Sequence, residues 1–217
     1  MTIRHWIFDF DGTLIDSAPA ILSAFAAALK ETGLTPQVEL DDRLIGPPLA
    51  ETLSRISGSS DTALIQTLTE RFKAHYDRDG VAATSAYPGV AQLLEQLSAD
   101  GILLHIATNK RLSATQSILE HLGWQRYFSS VYALDMVEPR LPGKTALLQK
   151  QLAELCLSPL HACYIGDKLE DGQAAAANSL RFHYAAWGYG DLVPTALPAE
   201  WQWLQQPLDL LAERMQP

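Results

Sequence analysis

The sequence predicts an α/β fold: a Rossmann-like parallel sheet core with helices on both faces, plus an inserted all-helical subdomain. Three observations lead there. Five short apolar segments end in polar or small residues, as buried strands do. Helical patterns lie between them, and strands that alternate with helices make a parallel sheet covered on both faces. Between about Ala18 and Ser85 that alternation stops, and only helical patterning remains.

The predicted strands are His5–Phe10, Ile102–Ala107, Val131–Leu134, Ala162–Ile165 and Leu180–Ala186. Pro88-Gly89-Val90 opens the first core helix. Leu93, Leu94 and Leu97 share its inner face and Gly101 stops it. Leu112–Leu122 follows, with Ile118, Leu119 and Leu122 inward and Gly123 beyond its end. Thr145–Leu155 carries Leu147, Leu148, Leu152 and Leu155; Glu170–Asn178 is short and Ala-rich. Within the insertion, Ala20–Lys30, Leu49–Ile56 and Ala63–Tyr76 read as helices. The junctions fall near Ser17 and Ala86, so the expected domains are a core of residues 1–16 and 86–217 and a helical cap of residues 17–85. Trp201–Met215 reads as a last helix packed on the sheet.

Composition narrows the function. The 217 residues are 47% hydrophobic and 19% charged, which suits a soluble globular chain. The net charge of −9 would repel a nucleic-acid backbone. Cys156 and Cys163 make no disulfide framework and, among apolar neighbours, read as buried free thiols. The N-terminus lacks a signal-peptide core, and no apolar run reaches the roughly 18 residues of a membrane span. A cytoplasmic location with no membrane partner is the resulting expectation.

The chemistry gathers at strand ends. Asp9-Phe10-Asp11-Gly12-Thr13 closes the first strand, with Gly12 allowing a sharp turn away from the sheet. Thr108-Asn109-Lys110 closes the second, and Gly166-Asp167 the fourth, followed by Lys168-Leu169-Glu170-Asp171. Ligands of open parallel sheets collect at these carboxyl ends. Independent segments therefore bring acids, a hydroxyl and a lysine to one edge. Asp-Gly turns and Asp or Thr helix caps are commonplace singly, but they do not explain three strand ends at once. Carboxylates meeting there repel one another and raise each other's pKa. A divalent cation resolves that conflict, and an all-oxygen donor set suits Mg²⁺.

Asp9-Phe10-Asp11-Gly12-Thr13-Leu14, Ala107-Thr108-Asn109, Lys144 and Gly166-Asp167-Lys168-Leu169-Glu170-Asp171 resemble the four ordered motifs of the haloacid-dehalogenase-like hydrolase superfamily. Ile45-Gly46-Pro47-Pro48-Leu49, Tyr87-Pro88-Gly89-Val90 and Trp187-Gly188-Tyr189-Gly190 resemble its phosphoglycolate-phosphatase-like branch. The resemblance covers essentially the whole chain. It implies a phosphatase in which Asp9 is the nucleophile and Asp11 the general acid and base. It further implies Mg²⁺ held by Asp9, the Asp11 carbonyl and Asp167, with Asp171 acting through water or as a weaker ligand. Thr108 and the Asn109 amide would bind phosphoryl oxygens beside the Gly12 turn, and Lys144 would neutralise charge. Many relatives carry Lys-Pro at the third motif, where this chain has Pro142-Gly143-Lys144-Thr145. Arg140 and Lys150 are the alternatives there. Asn178 stands where relatives often carry Gly, at a left-handed helix end.

In the insertion, Arg43 near Ile45-Gly46-Pro47-Pro48 is the candidate for holding a substrate anion in bidentate fashion, beside Lys73, His75 and Arg78. His105 and His183 alternate with apolar strand residues and read as structural. The expected partner is a small phosphorylated metabolite, phosphoglycolate by resemblance, for a monomer or homodimer. A nucleotide or sugar-phosphate substrate, or phosphomutase chemistry, fits the same motifs.

Overall fold

A computed structural model describes residues 3–213. The strands are β1 (His5–Phe8), β2 (Ile15–Asp16), β3 (Ser85–Ala86), β4 (Leu103–Thr108), β5 (Phe128–Ala133), β6 (Ala162–Gly166), β7 (Arg181–Ala185) and β8 (Gln202–Leu204). The helices are α1 (Ala18–Glu31), α2 (Leu49–Ser57), α3 (Thr62–His75), α4 (Val81–Ala83), α5 (Val90–Ala99), α6 (Leu112–His121), α7 (Lys144–Glu154), α8 (Leu169–Ala177) and α9 (Leu210–Glu213). The chain divides into two compact units. One is built from the segment up to Asp16 and the chain from Ala86 onward; the other is Ser17–Ser85.

The first unit holds a six-stranded sheet in the order β5-β4-β1-β6-β7-β8. Every pairing is parallel. Central β1 is therefore flanked by β4 and β6, whose carboxyl ends lie beside its own. The register aligns Phe8 with Ile106 on one side and Ile165 on the other. Asp9 extends the strand by one rung, its N–H donating to the Ile165 carbonyl at 2.8 Å.

The alternation of strand side chains splits the core. Ile7, Ala107, Tyr164, Phe182 and Tyr184 face Leu147, Leu148 and Leu152 of α7 and Ala174 and Ala175 of α8. The offset residues Trp6, Phe8, Ile106, Ile165 and His183 face the opposite way and are also buried. Full burial of such side chains contributes about 1.5–3 kcal/mol each. A strand in the middle of this sheet is buried on both faces, which is why the strand segments read as near-continuous hydrophobic runs.

The sixth strand departs from the expected C-terminal helix. Residues Gln202–Leu204 pair parallel with β7, and Pro207 opens a short 3-10 turn before α9. Aromatic residues at alternate positions explain the difference: Trp201 meets Phe182 edge-on at 4.8 Å, and Trp203 meets Tyr184 at 5.3 Å. These cross-strand ring contacts favour extended chain over the weak helical pattern. Arg214 and Met215, at the end of the expected helix, lie outside the described residues.

Three smaller expectations change. Phe10 is fully buried but sits in the turn after β1 rather than in the strand. Cys163 is buried, whereas Cys156 is exposed, because it caps the end of α7 with φ +52° and points out of the core. Asn178 keeps φ −104°, and Ser179 takes the left-handed conformation instead. The Asn178 amide is occupied in donating to Ala174 O and Thr145 O.

In the Ser17–Ser85 unit, α1 and α3 pack through Phe25 against Phe72, whose ring stacks on Tyr76. A π-helical turn over Tyr76–Gly80 follows α3. Gly80 lies under the Tyr76 ring, where any Cβ would collide with it.

Candidate active site

Parallel strands deliver their last residues to one edge. At the end of β1, Gly12 adopts φ +83°, and the turn closes through Leu14 and Ile15 N–H groups donating to Phe10 O. A Cβ on Gly12 would overlap the Asp167 carboxylate, so glycine is required for both conformation and approach. The turn leaves Asp9 buried at 6% exposure and directs Thr13 Oγ1 to Asp167 Oδ1 at 3.3 Å.

Asp9, Asp167 and Asp171 form a buried cluster whose nearest carboxylate oxygens all lie within 4.8 Å of one another. Lys144, the first residue of α7, reaches into it. Its Nζ lies 2.7 Å from Asp9 Oδ2 and 2.5 Å from Asp171 Oδ1, and the side chain is 4% exposed. The expected third-motif lysine is thus the one beside the acids. Lys150 instead pairs with Glu154 on the outer face of the same helix.

Asp171 is the most heavily engaged acid. Its Oδ1 also accepts from the Tyr164 hydroxyl at 3.0 Å, and its Oδ2 accepts from the Lys168 N–H at 2.9 Å, capping α8. Both oxygens therefore face protein donors. Asp167 is held by Thr13 and by the Tyr189 N–H at 2.8 Å. Tyr189 also donates its hydroxyl to Asp16 at 2.9 Å, and Trp187 Nε1 donates to Thr13 O. The Trp187-Gly188-Tyr189-Gly190 loop is therefore a wall of the site.

Asp11 is not a member of the buried trio. Lys110 Nζ donates to its Oδ1 at 2.9 Å, and both side chains are largely covered. Thr108 ends β4 and is buried; its Oγ1 accepts from the Lys110 N–H at 3.1 Å. Asn109 follows in the same loop, half-buried. Arg43 belongs to the other unit. There it lies at the surface, its guanidinium bonded to Asp41 with Glu39 3.9 Å away.

Burial and charge set the electrostatics. Burial pushes the Asp9 carboxyl well above its ordinary range; Lys144 opposes this, while Asp171 and Asp167 add to it. Burial, then Asp171, raises Asp167 to about 7. Burial pulls Lys144 down, but Asp171 and Asp9 outweigh it and hold the ammonium above its ordinary value. Three carboxylates against one ammonium leave a buried excess of negative charge. That excess favours binding a cation or a proton.

Of the residues expected from the sequence, Asp9, Asp167, Asp171 and Lys144 lie together, while Asp11 pairs with Lys110 and Thr108 ends β4. Sequence reasoning missed Tyr164 as the partner of Asp171 and Tyr189 as the holder of Asp167. Tyr164 looked like an apolar strand residue, and only its position opposite α8 gives its hydroxyl a role.

A parallel sheet with paired acids after its first strand and a lysine-neutralised acid pair beside them defines a hydrolase class. Residues 6–185 match the family model of the haloacid dehalogenase-like hydrolases. The chain belongs to that family, and within it to the phosphoglycolate-phosphatase-like branch. It is 34% identical over 188 residues to a phosphoglycolate phosphatase of Cereibacter sphaeroides, covering 84% of this chain and 85% of that protein. It is 35% identical over 185 residues to the tyrosine-protein kinase PtkA of Mycobacterium tuberculosis, covering 85% of this chain but 62% of that protein. The chain thus spans under two thirds of the length of that relative. A haloacid dehalogenase-like hydrolase from Streptococcus pneumoniae superposes with a TM-score of 0.84 at 27% identity, covering 97% of this chain and 98% of that one. Among the described residues, no helix is long and apolar enough to cross a membrane.

Proposed function

We propose that the protein hydrolyses a small phosphate monoester in two displacements at Asp9. The observation that carries this reading is Asp9 itself: a buried carboxylate at a strand end, 2.7 Å from Lys144 Nζ and clustered with Asp167. Asp9 Oδ attacks phosphorus, and the bond from phosphorus to the ester oxygen breaks. Asp11 gives the leaving oxygen a proton and later takes one from the water that attacks the aspartyl-phosphate, releasing inorganic phosphate. Lys110 orients the Asp11 carboxyl between these transfers. Lys144 offsets the charge of nucleophile and phosphoryl group, and Thr108 Oγ1 with the Asn109 amide donates to the phosphoryl oxygens.

The site suits Mg²⁺. Its donors are oxygens only, burial excludes competing water, and the carboxylates outnumber the ammonium. Asp9, Asp167 and the Asp11 carbonyl would hold the ion, with Asp171 behind them because both its oxygens already accept from protein donors. When bound, the ion supplies positive charge against the phosphoryl oxygens. The Ser17–Ser85 unit would act as a cap that selects the substrate, phosphoglycolate or a similar acid phosphate. Arg43 would hold the substrate carboxylate in exchange for Asp41.

The test is inorganic-phosphate release from phosphoglycolate, sugar phosphates and nucleoside monophosphates, with Mg²⁺ or EDTA. Release should require the ion and vanish in Asp9→Asn. Folded, metal-loaded protein that frees no phosphate from any ester would overturn the reading. The 35% identity to a protein named a tyrosine kinase motivates one more arm. Label moving from ATP into protein tyrosine, in place of free phosphate, would reassign the second displacement to a hydroxyl acceptor.

A further inference from the structure

Tyr189 is held at three points, and two of them are carboxylates of the core unit. Its N–H donates to Asp167 Oδ2 at 2.8 Å, its carbonyl accepts from Lys168 Nζ at 2.8 Å, and its hydroxyl donates to Asp16 Oδ1 at 2.9 Å. A phenol ring is rigid, so a tyrosine pinned at its tip and at its backbone acts as a strut between the two acids. The Tyr87 ring packs beside it, with centroids 6.4 Å apart. Asp16 is the residue at which the chain leaves this unit, and Ala86-Tyr87 is where it returns. The strut therefore runs from a carboxylate of the buried cluster to the chain exit.

The loop around Tyr189 has little slack. A Cβ on Gly188 would strike the Asp167 side chain, and one on Gly190 would strike Asp167 O. Backbone thus lies against Asp167 on both sides of the Tyr189 N–H. The two Asp167 oxygens take one donor each, Tyr189 N–H on Oδ2 at 2.8 Å and Thr13 Oγ1 on Oδ1 at 3.3 Å. A carboxylate oxygen carries two lone pairs, so each keeps one for a cation. The two donors fix the plane of the carboxylate, and the N–H is the shorter of them. A bond from N–H to a charged oxygen is strong and directional, so a tilt of Tyr189 turns the carboxylate with it. Trp187 Nε1 on Thr13 O and Lys168 Nζ on Tyr189 O anchor the loop close to its backbone. The hydroxyl is anchored further out and has the longest lever arm against tilting.

We propose that Tyr189 is a positioning residue: its hydroxyl, anchored on Asp16, fixes the angle at which its N–H meets Asp167 and so sets how tightly the carboxylate cluster binds a divalent cation, a role that rests on the reading of that cluster as a cation site. Asp9, Asp167 and Asp171 repel one another. A carboxylate free to turn relieves that repulsion by rotating away, and a cation must then pay to bring it back. Held in place, it meets the cation already aligned. Outer partners of metal ligands typically account for about 10–100-fold in metal affinity. Removing the hydroxyl leaves the N–H, the ring and the Lys168 contact, so the effect belongs at the low end of that range.

The experiment is calorimetric titration of the full chain with Mg²⁺, well below the thermal midpoint and with folding checked by circular dichroism. The chains compared are the wild type, Tyr189→Phe, Asp16→Ala, their double variant and Asp167→Asn. Tyr189→Phe should raise the Mg²⁺ Kd roughly tenfold, and its kcat should return to the wild-type value once Mg²⁺ saturates. In the Asp16→Ala background Tyr189→Phe should add nothing, because the hydroxyl acts through that acid. A hydroxyl that only stabilises the fold would lower the thermal midpoint in EDTA and leave the Kd where it was, which overturns the proposal. So would Kd effects that multiply in the double variant, or a kcat loss that saturating Mg²⁺ does not restore. Asp167→Asn keeps the two possible failures apart. If it binds Mg²⁺ as the wild type does, the cation site itself is refuted. If it loses the ion while Tyr189→Phe keeps the wild-type Kd, the cation site stands and the role of Tyr189 falls.

Discussion

Lys144 is wedged between Asp9 and Asp171, and its contribution is separable from that of the other groups on Asp171. Removing one member of a buried ion pair costs about 3–5 kcal/mol because the remaining charge stays unpaired. Lys144→Met should lose that much in urea unfolding without divalent ions, and turnover with it. Tyr164→Phe removes one hydrogen bond to a charged acceptor and should cost less, about 1.5–3 kcal/mol. Asp171 retains Lys144 and the Lys168 N–H in that variant. Equal losses would mean that the hydroxyl, not the ammonium, holds Asp171 in place. These residues differ in how readily the sequence reveals them. Asp9 and Asp167 stand at strand ends, and their spacing from Asp11 and Asp171 is local. Lys144 is legible only through the order of motifs. The Lys110 contact to Asp11 spans 99 positions, and nothing in a linear pattern couples the two.

At the scale of elements, the parallel core strands were legible because burial on both faces writes them as apolar runs. Strand β8 was not, since Trp201 and Trp203, between Pro198 and Pro207, satisfy a short helical pattern equally well. Its register is decided by ring contacts with β7 that exist only after folding. Strand β7 carries a further signature. Both ring nitrogens of His183 and Nε1 of Trp6, which stack at 6.2 Å, are buried with no hydrogen-bond partner among the described residues. Unsatisfied buried polar groups cost about 1–3 kcal/mol. His183→Leu should therefore leave the protein as stable or stabilise it by about 1 kcal/mol at pH 7, within the range of that penalty. A thermal midpoint several degrees lower would mean that the imidazole has a partner.

At the scale of the whole molecule, two sets of buried groups oppose each other in acid. His105 and His183 are pushed by burial to about 4, so the unfolded chain takes up their protons first. Their neutral burial is fully tolerated above about pH 6.5, and stability falls as pH drops towards 4. Asp167 runs the other way. Its folded pKa is raised to about 7, so the folded state holds the proton more tightly, and stability falls as pH rises from about 4 to 7. Without divalent ions Asp167, with Asp9 raised in the same direction, opposes the two imidazoles, so the unfolding midpoint should vary less between pH 4.5 and 6.5 than it does with Mg²⁺. With Mg²⁺ bound, the carboxylate contribution should disappear, leaving stability that climbs with pH. Calorimetry across that window, with Mg²⁺ and with EDTA, checks both curves. Identical curves would show that the acids bind no cation.

The crowding around Asp167 also determines how freely this gene can vary. At Gly188 an added Cβ would strike Gly12 O and the Asp167 side chain, whereas at Gly33 nothing lies within 4 Å. A saturation library scored for activity should return almost no survivors at position 188, and Gly188→Ala alone should displace Asp167 and silence the enzyme. Position 33 should admit asparagine and aspartate, which tolerate its φ of +71°. The same residue type thus marks an informational bottleneck in one place and open ground for drift in the other.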